Sequence, residues 1–127
     1  MSASAPTSTG LEQNVAGLLS YVLGPFTGVL FFVLEKENRF VRFHAMQSIL
    51  VGAASFVFWM AYSVLSTVLA FIPVLGWIIV AAVGFVASVG LFVLWIVLMV
   101  RAFQGQEWEL PIVGKYARQY SAPAPIG

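Results

Sequence analysis

Two long apolar stretches dominate the chain, and one charged stretch lies between them. From Gln13 to Leu34, 22 residues pass without an Asp, Glu, Lys or Arg, and after Arg42 the next such residue is Arg101. Between the stretches, Glu35–Ser48 (EKENRFVRFHAMQS) carries five of the eleven formal charges and the only histidine, His44.

The first apolar segment, Leu11 to about Leu34, predicts a membrane span. Its 22 uncharged residues would rise about 33 Å, enough for a hydrocarbon core of roughly 30 Å. Gly24-Pro25 falls near its middle. Pro25 has no N–H for the carbonyl of Tyr21, which predicts a kink. Gly17, Ser20, Tyr21, Gly24, Thr27 and Gly28 share one side at helical spacing, a face for close packing against another helix. Two alternatives stand beside this. One is a broken helix whose freed carbonyl binds a ligand, as in transporters. The other is a re-entrant hairpin that turns back at Gly24-Pro25 and brings both termini to one side.

The second helix is predicted to start at Arg39, capped by Asn38, and to run without Pro to Phe71. Its 33 residues, about 50 Å, exceed what the bilayer needs, so its first turns belong at the membrane surface. There Arg39 and Arg42 are expected to meet lipid phosphates, with Phe40 and Phe43 dipping into the headgroup boundary. A stripe follows at steps of three and four: His44, Ser48, Gly52, Ser55, Trp59, Tyr62 and Ser66. Small, hydroxyl and aromatic residues on one face predict contact with other helices. Ile72–Gly76 is a turn. The third span runs from Trp77 to about Phe103, with Gly84 and Ser88 facing the stripe. Gly105 stops it as the residue after the C-cap. Pro111 is expected to open a short surface helix, with Trp108, Leu110 and Ile112 on the membrane.

Composition turns these helices into a membrane protein. The chain is 61% hydrophobic and 9% charged, against roughly 25% charged in soluble domains. The predicted architecture is all-α: one integral membrane domain over residues 11–120, with three transmembrane helices, an interfacial amphipathic start to the second, and a short C-terminal surface helix. Residues 1–10 and 121–127 are expected to be disordered tails. The basic residues lie after the first and third spans, which predicts a cell-membrane protein with the N-terminus outside and the C-terminus in the cytosol.

Two motifs resemble the signatures of a family of small uncharacterised prokaryotic membrane proteins. That family is related to the Tic-twenty component of the chloroplast inner-envelope import machinery. The first motif is Arg42, Phe43, His44, Ala45 and Gln47 after a charged turn. The second is Gly105, Trp108, Leu110 and Pro111. The resemblance covers about Leu11 to Tyr120. It implies a multi-pass protein acting as a structural or assembly component of a membrane complex. The chain departs from the family where a His is frequent in the first span and Ala16-Gly17-Leu18-Leu19 stands instead.

The residues offer little catalytic chemistry. No Asp or Glu lies within a span, His44 stands alone, and there is no Cys. No catalytic, cofactor-binding or metal site is expected, and a net charge of +1 gives no reason to invoke nucleic acid. The expected partners are the lipid bilayer and either further copies or other membrane proteins. The motif residues expected at an interface are Arg39, Arg42, Phe43, His44, Gln47, Ser48, Gly105, Trp108, Leu110 and Pro111. Those expected in helix packing are Gly17, Gly24, Pro25, Gly28, Gly52, Ser55, Trp59, Tyr62, Gly84 and Ser88. The alternative function is a homo-oligomeric channel or carrier for a small solute, lined by the Ser48–Ser66 stripe.

Overall fold

The computed structural model describes residues 6–121; of the tails expected at 1–10 and 121–127, residues 1–5 and 122–127 lie outside them. The described chain is helical throughout: α1 (Gln13–Val22), α2 (Pro25–Leu34), α3 (Arg39–Leu69), α4 (Leu75–Phe103) and α5 (Val113–Ser121).

The first apolar segment does not cross as one rod. Gly24 has φ 63° and ψ −136°, a conformation that side-chain-bearing residues avoid, and Pro25 begins a new helix there. Each resulting helix has ten residues and is about 15 Å long, half the hydrocarbon thickness. The two fold back on each other. Ser8, before α1, donates its backbone N–H to the Glu35 carboxylate after α2, and Asn38 at the start of α3 donates to Gln13 at 2.9 Å. So the three-span expectation fails, and the chain turns back at Gly24-Pro25 as a helical hairpin. Among the described residues two helices, α3 and α4, are long and apolar enough to cross a membrane. Ser8, the start of α3 and the end of α4 share one end of the molecule.

Residues 6–10 are likewise not a loose tail in the described part. Thr7, Ser8 and Pro6 hydrogen-bond to Leu11, Glu35 and Asn38.

The tip of the hairpin seats against α3. A Cβ at Gly52 would lie 2.5 Å from the Pro25 ring, and one at Gly28 would lie 3.0 Å from Ser48. Ser48 Oγ donates to the Gly24 carbonyl at 2.8 Å. Lower down, Trp95 of α4 donates its indole N–H to the Tyr21 carbonyl, and Thr27 donates to Ser20. The Tyr21 and Gly24 carbonyls also accept the backbone N–H groups of Gly24 and Gly28, so side chains add second bonds at the break, and Thr27 supplies the Ser20 carbonyl in the last turn of α1.

The helix α3 starts where Asn38 caps it, accepting from the Val41 N–H at 3.1 Å. The helix α4 ends in a Schellman motif. Gly105, at φ 79°, donates to Ala102, and Gln106 donates to Arg101. That motif turns the chain back into the molecule. Between these ends, α3 and α4 form a hairpin through the Pro73 turn. Tyr62 Oη donates to the Val80 carbonyl at 2.6 Å, beside Gly84, and Trp77 donates to Ala70.

Candidate functional site

The two sequence motifs are two halves of one polar layer. His44 and Gln47 lie one turn apart on α3 and are fully buried. The loop 104–112 runs past them. The His44 Nε2 lies 2.9 Å from the Gln106 carbonyl. The Gln47 amide donates to the Trp108 carbonyl at 3.1 Å, and its oxygen accepts the Leu110 N–H at 3.1 Å. Two α3 side chains thus serve three backbone groups of a loop that has no secondary structure of its own. Buried backbone groups need such partners.

Tyr21 of α1 closes the layer. Its hydroxyl lies 2.7 Å from His44 Nδ1 and 3.0 Å from the Gln47 amide nitrogen. The partners decide the proton positions. A carbonyl can only accept, so Nε2 carries the imidazole hydrogen and Nδ1 is the acceptor. Tyr21 donates to Nδ1 and accepts from Gln47. Both Gln47 amide hydrogens are used, one on Tyr21 and one on Trp108. Phe40 and Phe43 meet the imidazole edge-on, with centroids at 4.6 and 5.1 Å. They are buried rather than in the headgroup boundary where the sequence suggested.

Arg42 is engaged by backbone carbonyls. Its guanidinium donates to Phe32 O at 3.2 Å, Glu35 O at 2.7 Å and Ser121 O at 2.8 Å. Those carbonyls end α2 and α5, and a cation is favourable at both helix C-termini. Arg39 is the one left exposed.

Glu35 anchors the N-terminal segment. Its carboxylate is buried and accepts from Ser8 N at 2.9 Å and 3.0 Å, Ser8 Oγ at 2.9 Å, Asn38 N at 3.0 Å and Glu37 N at 3.3 Å. Burial pushes the carboxyl up, but the Asn38, Ser8 and Glu37 donors outweigh it and hold it below the usual carboxylate range. Asn14 completes the end by donating to the Phe103 carbonyl at 3.1 Å.

The remaining predicted residues divide. On the inward side of α3, Ser48 and Gly52 face the hairpin, Ser55 faces α4, and Trp59 packs edge-on to Tyr62 at 5.1 Å. A Cβ at Gly17 would come within 2.8 Å of Phe40. Gly84 meets Tyr62, but Ser88 is exposed, because α3 and α4 diverge at its level. Pro111 precedes α5 without starting it. Leu110 packs onto Tyr21, Leu98 and Ala102 instead of lying on the surface. Sequence reasoning missed Glu35, Asn14, Trp95 and Gln106. The one signal for Trp95 is an indole N–H inside an apolar run, which requires a buried acceptor.

Chemically, this arrangement grips backbone. Ser48, one turn from His44, points to Gly24 and not to the imidazole. Among the described residues, no three His, Cys, Asp or Glu side chains come together.

Comparison with known proteins identifies the relatives. A family model described as the "Magnetosome magnetite crystal formation protein family" (MamF/MmsF) matches residues 11–117. The chain belongs to that family. It is 46% identical over 115 residues to a UPF0132 membrane protein of Methanocaldococcus jannaschii, covering 91% of this chain and 94% of that one. A UPF0132 membrane protein of Archaeoglobus fulgidus is 45% identical over 109 residues, covering 86% and 95%. A second Methanocaldococcus protein of the same name is 32% identical over 111 residues, covering 87% and 71%. No solved structure matches the chain. A MamF/MmsF-family membrane protein is therefore what the polar layer belongs to. Membership rests on these archaeal relatives and not on the chloroplast import component.

Proposed function

We propose that the chain is a structural or assembly component of a membrane complex. It crosses the cell membrane twice, by α3 and α4, and carries α1–α2 as a re-entrant hairpin. The observation that supports this is how the polar side chains are used. Tyr21, His44, Gln47 and Ser48 all bind groups of the chain itself, and they leave no donor or acceptor directed at a substrate. Meanwhile α4 turns Phe85, Val86, Val89 and Phe92 outward. Such a protein acts through its lateral surface, and no enzyme activity is proposed for it.

All six Lys and Arg residues lie towards the end shared by Ser8 and Ser121, and the Pro73 turn has none. The positive-inside rule puts that end in the cytosol, with both described ends of the chain there. The alternative of a homo-oligomeric channel is weaker. Its expected lining begins at Ser48 and includes Tyr62, and both hydroxyls are engaged internally. The magnetite of the family's description is not carried into this reading. Glu107 and Glu109 are paired with Arg118, and Glu35 is enclosed by N–H groups.

The test is site-specific photo-crosslinking in native membranes with a probe at Val86 or at Phe92. A discrete protein adduct from either site is the expected result. Adducts to lipid alone from both sites, with solute flux in liposomes carrying the pure protein, would replace this reading by the channel.

A further inference from the structure

We propose that the gap between α3 and α4 binds one anionic phospholipid, with an acyl chain in the gap and the phosphate on Arg101. The two helices touch at Tyr62 and Gly84. Towards the other end, the hairpin tip and the loop 104–112 reach in beside them. In between they diverge and leave a cleft of about 440 Å³. Ala54 and Phe58 of α3, Ala87, Gly90 and Leu94 of α4, and Leu110 of the loop are among its walls. Ser55 is the sole polar residue among those that line it. A Cβ at Gly90 would meet nothing within 4 Å, so the space there is open.

The cleft is apolar and open to the side, as an acyl chain lying along it from the bilayer requires. Its length fits as well. From Ala87 to Arg101 is fourteen residues, about 21 Å of helix, which spans one leaflet from chain end to headgroup.

Arg101 lies two turns beyond Leu94 on the same face of α4. Its guanidinium uses one donor on Gln106 Oε1 at 2.8 Å and stands 5.9 Å from the Trp108 ring centroid. A guanidinium has five donors, and it pairs with phosphate. No carboxylate competes. The ion pairs among the described residues are those of Arg118, which holds both Glu107 and Glu109 of the same loop. Trp108, partly exposed beside Arg101, suits the headgroup level. An uncompensated cation two turns beyond an apolar cleft, on the same helix face, is what an anionic lipid complements.

The test uses full-length protein, delipidated in mild detergent and examined by native mass spectrometry. The probes are phosphatidylglycerol, phosphatidylcholine with the same chains, and inorganic phosphate. One phosphatidylglycerol per chain should be retained, about fivefold over phosphatidylcholine, the factor that roughly 1 kcal/mol per interfacial cation gives. Arg101→Gln should bring the two lipids within about twofold. Gly90→Leu fills the cleft at a site with room for it and should lower retention of both lipids. Its helical signal and oligomeric state should not change. Lipid retention untouched by Gly90→Leu overturns the proposal, as does a preference for phosphatidylglycerol that survives Arg101→Gln. A phosphate adduct as strong as the lipid's would make this a site for a free anion and overturn it too. The inference rests on membrane crossing by α3 and α4, not on the partner proposed above. A failed crosslink leaves it standing.

Discussion

At the end of the molecule that carries Arg39 and Arg101, five helices and a loop meet through buried polar side chains. At the end that carries Pro73, two helices meet alone. The first end holds Tyr21, His44, Gln47, Glu35, Asn38 and Arg42, each bound to a different segment of chain. The second holds Tyr62, bound to Val80, and Trp77, bound to Ala70. Apolar surface cannot explain the contrast, since lipid covers a Val as well as another helix does. What differs is the number of backbone groups left without a helix of their own. A broken hairpin and a nine-residue loop expose many, and within a membrane each must find a partner in the chain. The polar residues therefore sit where the backbone is irregular, and the regular hairpin manages with few.

The strongest way to break this comparison is to remove the layer's centre. His44→Leu leaves the Gln106 carbonyl without its side-chain donor and the Tyr21 hydroxyl hydrogen without an acceptor, although Gln47 still donates to the hydroxyl. It should destabilise the folded state by about 2–4 kcal/mol, in the range for buried groups left unpaired. Unfolding in mixed micelles by titrated denaturing detergent would measure it. Combined with Tyr21→Phe, the loss should fall short of the sum by at least about 0.5 kcal/mol, because the two share a bond. Strict additivity would mean that the layer is a set of separate contacts.

Packing offers the next test. Gly52→Ala would set a methyl 2.5 Å from the rigid Pro25 ring, whereas Gly90→Ala meets open space. The first should cost about 1–3 kcal/mol, and the second should stay within about 0.5 kcal/mol. Equal effects, measured by the same unfolding titration, would show that the hairpin tip is not seated on α3.

Acid should loosen one end and spare the other. The carboxyl of Glu35 is held below its ordinary value of 4.5. Its contribution is therefore present above that value and is lost as pH falls through the lower folded one. Hydrogen exchange at Ser8 and Asn38 should rise in that window while exchange along α4 stays flat. Glu35→Gln should show the faster exchange at neutral pH and lose the acid dependence. A wild-type profile that matches that of Glu35→Gln at every pH would remove the carboxylate from this role.

Much of the regular part was legible beforehand. Thirty-odd residues without Pro after Asn38 announced α3, and Gly105 announced its partner's end, because caps and breaks are local chemistry. The stripe from His44 to Ser66 was readable from spacing alone, and it is the less exposed side of α3. The first segment was misread because hydropathy counts residues and does not see direction. Twenty-two apolar residues satisfy a span whether they run straight or fold at Gly24. Only contacts distant in sequence, Ser8 with Glu35 and Gln13 with Asn38, choose between the two. Arg42 was misplaced for a similar reason. A basic residue at a helix start suggests phosphate, and the three carbonyls that claim it come from residues 32, 35 and 121.

The smallest effect belongs to the far hairpin, and it makes the comparison quantitative. Tyr62→Phe removes the hydroxyl that reaches the Val80 carbonyl and leaves the ring on Trp59 in place. Val80 lies inside α4, so its carbonyl keeps the helix's own bond, and the loss creates no orphan. Interhelical hydrogen bonds of this kind average about 0.6 kcal/mol in membranes. The expected cost is near that figure, several times below that of His44→Leu, although both changes delete a buried polar side-chain function. If Tyr62→Phe instead matched His44→Leu, bond count rather than backbone rescue would govern stability. The distinction between the two ends would then disappear.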